Sequence, residues 1–237
     1  MDAAGLDPVV THIIDARMAK GAPLVVGVTG GVAVGKSTFS AALADRIARN
    51  GELDVAVVAS DGFLHSNAVL AARGLTDRKG FPESYDIEAI VAFLTDAGAG
   101  TETRVPVYDH HIYDIVEAEI TVSPIDVLVF EGVNALQFPD RIDLGIYLHA
   151  EEPVMRAWFI ERTRALRDAA RVEYSPFFDP WIDVPEDLFL AMVNGAWESV
   201  NLPNLVEHIE PTRRLAGIEI EWEADHSIRA LVIRERP

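Results

Sequence analysis

Val25-Val-Gly-Val-Thr-Gly-Gly-Val-Ala-Val-Gly-Lys-Ser-Thr38 is the stretch that decides how this chain folds. Gly30, Gly35, Lys36 and Ser37 stand at the fixed places of the pattern G-x-x-x-x-G-K-[ST]. Leu24 to Val28 reads as a buried strand, and Ser37 to Asn50 as a helix with Phe39, Leu43 and Ile47 on one face. Strand, glycine loop and helix in that order form a cradle for phosphate. Glycines let backbone N–H groups close around phosphate oxygens, and the helix N-terminus turns its positive end toward the anion. Lys36 reaches the outer phosphates, and the Ser37 hydroxyl is suited to Mg²⁺. The expected nucleotide-binding residues are therefore Gly30, Gly31, Val32, Ala33, Val34, Gly35, Lys36, Ser37 and Thr38. A glycine-rich strand-to-helix turn without a ligand is the plainer reading, and the complete motif in its context outweighs it.

Outward from the loop, three further apolar runs read as strands: Val55–Ala59, Val127–Phe130 and Leu144–Leu148. Each is apolar on both faces, as in a parallel sheet covered on both sides. Helices are predicted over residues 8–19, Glu88–Asp96, Pro153–Ala170 and Pro185–Val200. Alternation at Ile218–Trp222 and Ile228–Ile233 predicts two late strands joined at Asp225-His226. Residues 74–86 and 97–116 hold Gly, Pro, Tyr, Asp and His without a clean period and read as ordered active-site loops. The expectation is an α/β fold, one domain over residues 1–237, its mostly parallel central sheet flanked by helices on both faces.

Composition narrows the functions open to such a fold. Of 237 residues, 49% are hydrophobic, which sets the chain apart from disordered sequences. No run reaches the ~18 apolar residues of a membrane span, and the first residues lack the basic start of a secretion signal. The absence of cysteine excludes disulfides, thiolate metal sites and thiol catalysis. These features predict a cytoplasmic protein with no membrane partner. A net charge of −18 argues against a nucleic-acid partner, because phosphate backbones are held by basic patches. Bound nucleotide is not excluded, since it depends on local charge and backbone dipoles.

In open α/β sheets ligands sit beyond the carboxyl ends of the strands. Asp61 follows the strand Val55–Ala59, and Glu131 follows Val127–Phe130. Phosphoryl transfer to an alcohol needs a carboxylate to accept the hydroxyl proton and an acidic group near Mg²⁺. Asp61 suits the first role, and Glu131 with Ser37 the second, the glutamate acting through water. Spacing alone also allows the two roles to be exchanged. Plainer readings are an Asp-Gly turn for Asp61 and a helix cap or ion pair for Glu131. His65, His110 and His111 lack the spacing of transition-metal ligands.

Several blocks resemble type I (bacterial) pantothenate kinase. They are residues 30–38, Ser60-Asp-Gly-Phe-Leu-His65, Arg73-Gly74-Leu75, Lys79-Gly-Phe-Pro-Glu-Ser-Tyr-Asp86, Pro106-Val-Tyr-Asp-His-His-Ile-Tyr-Asp114, Glu131-Gly-Val-Asn-Ala-Leu-Gln137, Asn201-Leu-Pro-Asn-Leu205 and Pro211-Thr-Arg213. The resemblance runs from about residue 24 to the C-terminus. It implies a P-loop kinase fold and transfer of the ATP γ-phosphate to pantothenate, giving 4'-phosphopantothenate for coenzyme A synthesis. ATP and Mg²⁺ are the implied cofactors, and a homodimer is compatible with the family. By matching position Asp61 corresponds to the catalytic base, with Lys36 at the phosphates. Tyr108, His110, Tyr113 and Asn201 fall where the family contacts pantothenate or nucleotide. Phe177, Phe178 and Trp181 are candidates for an apolar wall, with ordinary core packing as the alternative.

Five arginines, Arg156, Arg162, Arg164, Arg167 and Arg171, crowd an expected lid helix within 151–171, and Arg156 and Arg167, about three turns apart, fall on one helical face. The resemblance places Arg162 at the substrate and Arg167 at the transferred phosphoryl group, where positive charge stabilises a loose transition state. Arg164 and Arg171 read as solvated partners of acidic neighbours, such as Arg164 with Asp168. The chain departs from the family pattern at Phe39-Ser40-Ala41, where a basic residue contacts the inhibitor coenzyme A, and at Asp109, His111, Phe159 and Glu161. Competing readings are a uridine-kinase-like or phosphoribulokinase-like enzyme acting on a sugar or nucleoside, and a nucleotide-binding regulator without turnover.

Overall fold

The computed structural model describes residues 4–234. Leu24–Gly30 forms β1, buried at every position, so both of its faces must be covered. It pairs in parallel with β5 (Val127–Glu131) on one side and β6 (Leu144–His149) on the other. Adding β2 (Val55–Ala59), β7 (Ile218–Trp222) and β8 (Ile228–Ile233) gives a six-stranded sheet of order β2-β5-β1-β6-β7-β8. Only β8 runs antiparallel, turning back from β7 through Asp225-His226 as the alternating pattern predicted. The chain leaves β1 for one half of the sheet and later returns to build the other. The switch point therefore lies at the carboxyl end of β1, where the glycine loop begins.

Helices cover both faces. The helix α1 (Asp7–Lys20) carries a proline in its first turn and ends at Gly21, whose φ of 67° closes the cap. It buries Val9, Val10 and Ile13 against α2 (Lys36–Gly51), which contributes Phe39, Leu43 and Ile47 to the same core. A second core, under the other face, joins Val25, Leu128 and Phe130 to α4 (Ile87–Gly98) through Ile90, Phe93 and Leu94. Asp86 caps α4 by accepting a 2.9 Å hydrogen bond from Ala89 N–H. Between β2 and α4 lie the short α3 (Asn67–Ala72) and a run of tight turns, the irregular segment expected at 74–86.

Residues 97–116 differ from expectation. They are not only loop: α4 ends within them, and β3 (Thr103–Asp109) and β4 (Asp114–Val122) form a hairpin outside the main sheet. Its register slips between Pro106 and Val107, and most of β4 is exposed, so the period-2 signal is blurred in the sequence. Towards the C-terminus α5 (Glu152–Ala170) packs on α6 (Glu186–Ala196). The helical run starting with α6 continues through π and 3₁₀ turns to Leu215, beyond the predicted end at Val200.

Candidate active site

Gly30 shows why the loop needs its glycines. Its φ is 152°, and a Cβ there would lie 2.2 Å from the backbone oxygen of Leu148. Any side chain would push the loop off β6. Past the turn, Lys36 starts α2 and folds its ammonium back over the loop, donating to the carbonyls of Gly30 (3.2 Å) and Gly31 (2.9 Å). Burial lowers its pKa, with Arg162 adding to the effect, while Glu131 and Asp61 oppose it. The loop lysine, both carboxylates and one lid arginine thus share one electrostatic neighbourhood.

Glu131 is the last residue of β5, level with Val28 of β1 and Ala59 of β2. Only 6% of it is exposed, and its carboxylate accepts a 2.7 Å hydrogen bond from Ser37 Oγ. Burial raises its pKa against the pull of Lys36 and Ser37. A hydroxyl and a carboxylate side by side beneath a phosphate cradle offer the hard oxygen donors that Mg²⁺ takes, directly or through water. Among the described residues no cluster of three or more His, Cys, Asp or Glu forms an all-protein metal cage. That is compatible with a cation shared between protein, water and phosphate.

Asp61 lies on the tight turn Ser60–Phe63 that leaves β2. Gly62 lets this turn meet the hairpin, because a Cβ there would come within 2.4 Å of Pro106 O. The charge of Asp61 is felt by Lys36, Glu131, Lys79, Tyr108 and Tyr113, so strand ends, the 74–86 segment and the hairpin converge on it. Burial raises the pKa of Tyr108 and of Tyr113, keeping both phenols protonated donors.

The hairpin turn carries an aromatic group. Tyr108 stands edge-on to His110 at 5.0 Å and to Tyr113 at 6.1 Å. Tyr113 has a φ of 61°, a left-handed conformation rare for a bulky residue, and stacks on Phe177 at 4.2 Å. Phe178 is buried edge-on behind Phe177. Ser175 Oγ donates to His111 O at 2.7 Å, tying the segment after α5 to the hairpin turn. Two members of this group carried no role in the sequence reading. Lys79 Nζ lies 4.9 Å and 5.1 Å from the ring centres of Tyr108 and Tyr113 and donates 2.7 Å to Asn67 Oδ1. Tyr85 places its hydroxyl 3.5 Å from Asp61 Oδ1. The signal was their presence in the block of residues 79–86, beside the residues already singled out.

Not every candidate is brought to the centre. Arg156 and Arg167 do share a helical face, but it is the face packed on α6. Arg156 donates to Asn194 (2.9 Å) and Glu198 (2.6 Å), and Arg167 donates to Glu186 at 2.8 Å while lying over the ring of Phe189. Arg167 is therefore engaged by α6 in this structure. Arg162, five residues earlier and about 140° around the helix, is the lid arginine whose charge reaches Lys36 and Tyr113. Arg164 bonds Glu186 at 2.7 Å, not Asp168, and Arg171 lies near Asp168 and Asp183. Asn201 makes no side-chain hydrogen bond among the described residues. Its neighbour Asn204 donates to Gly80 O at 2.8 Å, fastening the segment that carries Lys79.

A pocket of about 200 Å³ adjoins the loop, lined by Val34, Gly35, Thr38, Trp222 and His226. His226 stacks on Trp158 at 4.2 Å, leaving an aromatic edge beside the cradle. A larger, open hollow of about 430 Å³ along Pro106 and Val116–Glu119 lies on the hairpin and contains none of these groups.

The family model of the phosphoribulokinase / uridine kinase family matches residues 25–173. The chain is 43% identical over 224 residues to a pantothenate kinase of Sorangium cellulosum, covering 90% of this chain and 73% of that protein. It is 39% identical over 225 residues to a pantothenate kinase of Enterococcus faecalis, with the same coverage. A D-glycerate 3-kinase structure from Cryptococcus neoformans superposes with a TM-score of 0.68 at 13% identity, covering 94% of this chain and 98% of that one. That likeness concerns the fold alone.

Proposed function

The chain belongs to the phosphoribulokinase / uridine kinase family and groups there with the type I pantothenate kinases, and from this premise we propose that it phosphorylates pantothenate. It is an ATP-dependent kinase. The observation that carries the reading is Glu131 hydrogen-bonded to Ser37 beside Lys36, which folds over the glycine loop, with the charges of Asp61 and Arg162 reaching Lys36 and the Tyr108-His110-Tyr113 rings grouped on the hairpin. A regulator that only binds nucleotide has no need of such a carboxylate.

The residues divide the work as follows. Loop amides and the α2 N-terminus hold the β- and γ-phosphates, and Lys36 leaves the Gly30 and Gly31 carbonyls to neutralise them. The base occupies the aromatic pocket at Val34, Trp222 and His226. Ser37 and Glu131 would hold Mg²⁺, which when bound offsets charge on the phosphate oxygens. Asp61 accepts the proton of the attacking hydroxyl as its oxygen bonds to the γ-phosphorus and the bond to the β-phosphate oxygen breaks. Arg162 stabilises the equatorial oxygens in the transition state. Lys79, Tyr108 and His110 present donors to the carboxylate and amide of pantothenate, and Phe177 with Phe178 supplies an apolar wall for its gem-dimethyl group. The reaction belongs in the cytoplasm, where ATP is abundant.

A coupled ADP-release assay across pantothenate, uridine, ribulose 5-phosphate and glycerate tests the acceptor. Turnover with pantothenate at least tenfold faster than with the others is expected, and equal or faster turnover with any other member overturns it.

A further inference from the structure

Tyr85 belongs to the segment between α3 and α4, yet its backbone is sewn to the turn that carries Asp61. His65 N–H donates to Ser84 O at 2.9 Å, and Asp86 N–H donates to Phe63 O at 2.8 Å. This isolated bridge, Leu64 with Tyr85, fixes the tyrosine relative to the aspartate without a continuous strand. The ring is 3% exposed and belongs to the core of Phe63, Phe93 and Phe130. A phenol placed so deep needs a partner for its hydroxyl. It points at Asp61 Oδ1, 3.5 Å away, and among the described residues no other side chain is in hydrogen-bond range of that carboxylate. Ser60 Oγ, fully buried and otherwise without a partner, lies against the same phenol.

We propose that Tyr85 is the positioning residue for Asp61: its hydroxyl donates to Oδ1 and leaves Oδ2 to receive the proton of the acceptor alcohol. The inference rests on the reading of Asp61 as the base. Burial, and then the Asp61 charge, push the tyrosine pKa well up, so the hydroxyl stays a donor through the working pH range. At 3.5 Å the distance is long for a hydrogen bond to a carboxylate, and we expect it to shorten when an acceptor fills the site and drives out water. The other groups facing Asp61 are the cations Lys36 and Lys79, the Glu131 carboxylate, and the phenols of Tyr108 and Tyr113. None of them is bonded to it, so they set its field but not its orientation.

Tyr85→Phe removes one oxygen and keeps the ring in the core. We expect kcat to fall about tenfold with the KM values for ATP and pantothenate within about twofold. The acid limb of the kcat profile should move to higher pH, because the ionised carboxylate loses a donor. In an Asp61→Asn background the same substitution should cost nothing further. Unchanged kcat and pH profile in Tyr85→Phe, or a full additional loss in the double variant, overturns the positioning role. A loss of kcat matched by a lowered melting temperature and weakened ATP binding also overturns it, in favour of plain core packing. Full activity of Asp61→Asn alone would instead overturn the base assignment.

Discussion

At the scale of single residues the site is a balance of charges that burial makes costly. Lys36 and Glu131 both have pKa values displaced toward their neutral forms, burial being the first cause in each. Phosphate and a divalent cation would relieve both, so the cradle is arranged for its ligands. Lys36→Ala should weaken ATP binding and turnover together, and an unaltered ATP titration of that variant would contradict the role. Asp61→Asn should leave ATP affinity intact and lower kcat by about 10²–10⁴ in a pantothenate assay. Motif residues were legible at this scale because phosphate chemistry fixes residue type and local spacing at once. Tyr85 and Lys79 were not, because each meets its neighbours across a gap that sequence distance does not encode.

At the scale of elements, α5 explains why charge alone misleads. A helix rich in arginine beside a phosphate loop suggests several hands on the γ-phosphate, but most of the arginines are spent on α6. Arg167 has a side chain 9% exposed and paired to Glu186, which is 48% exposed. Arg167→Ala should therefore cost about 1–3 kcal/mol in denaturant unfolding, less than the full price of a pair buried on both sides. Arg162→Ala should leave stability within about 0.5 kcal/mol and lower kcat by about 10²–10³. The reverse pattern would restore Arg167 to the phosphoryl group. Helical periodicity correctly placed Arg156 and Arg167 on one face, while the direction of that face depended on where α6 packs. The β3–β4 hairpin escaped the sequence reading for a related reason. Half-exposed strands with a slipped register carry no clean alternation, and β3 packs on both the Asp61 turn and α4.

At the scale of the molecule, the late strands carry a charge cluster centred on Glu219. Glu219 of β7 is 8% exposed at its side chain and receives Arg213, at 2.8 Å, and Arg234. Burial pushes its carboxyl up, but hydrogen bonds from both arginines outweigh this and leave the pKa lowered. The stabilisation is present above the unfolded value of 4.5 and is lost as pH falls through the lower folded value. Glu219→Gln should thus cost about 1–3 kcal/mol at pH 7 and flatten the loss of stability below about pH 4.5 in urea titrations. An acid limb as steep as that of the unaltered protein would exclude the cluster as its source. Binding should also register globally. Pantothenate at about 100 times its Kd adds about 2.7 kcal/mol. For a chain of this size that raises the melting temperature by about 5–10 °C, with no comparable shift from uridine or glycerate.

The sequence by itself determined the parallel sheet, the glycine loop at the end of β1, the two acidic strand ends and the family. Those follow from burial on both faces and from the fixed spacing a polyphosphate demands, which are local properties of a chain. Only the tertiary structure decided that Arg156 and Arg167 turn to α6, that residues 103–122 form a hairpin against the Asp61 turn, and that Tyr85 places its hydroxyl near Asp61 from 24 residues away. These depend on how elements pack against one another, and a packing face is chosen by neighbours that one-dimensional periodicity does not name.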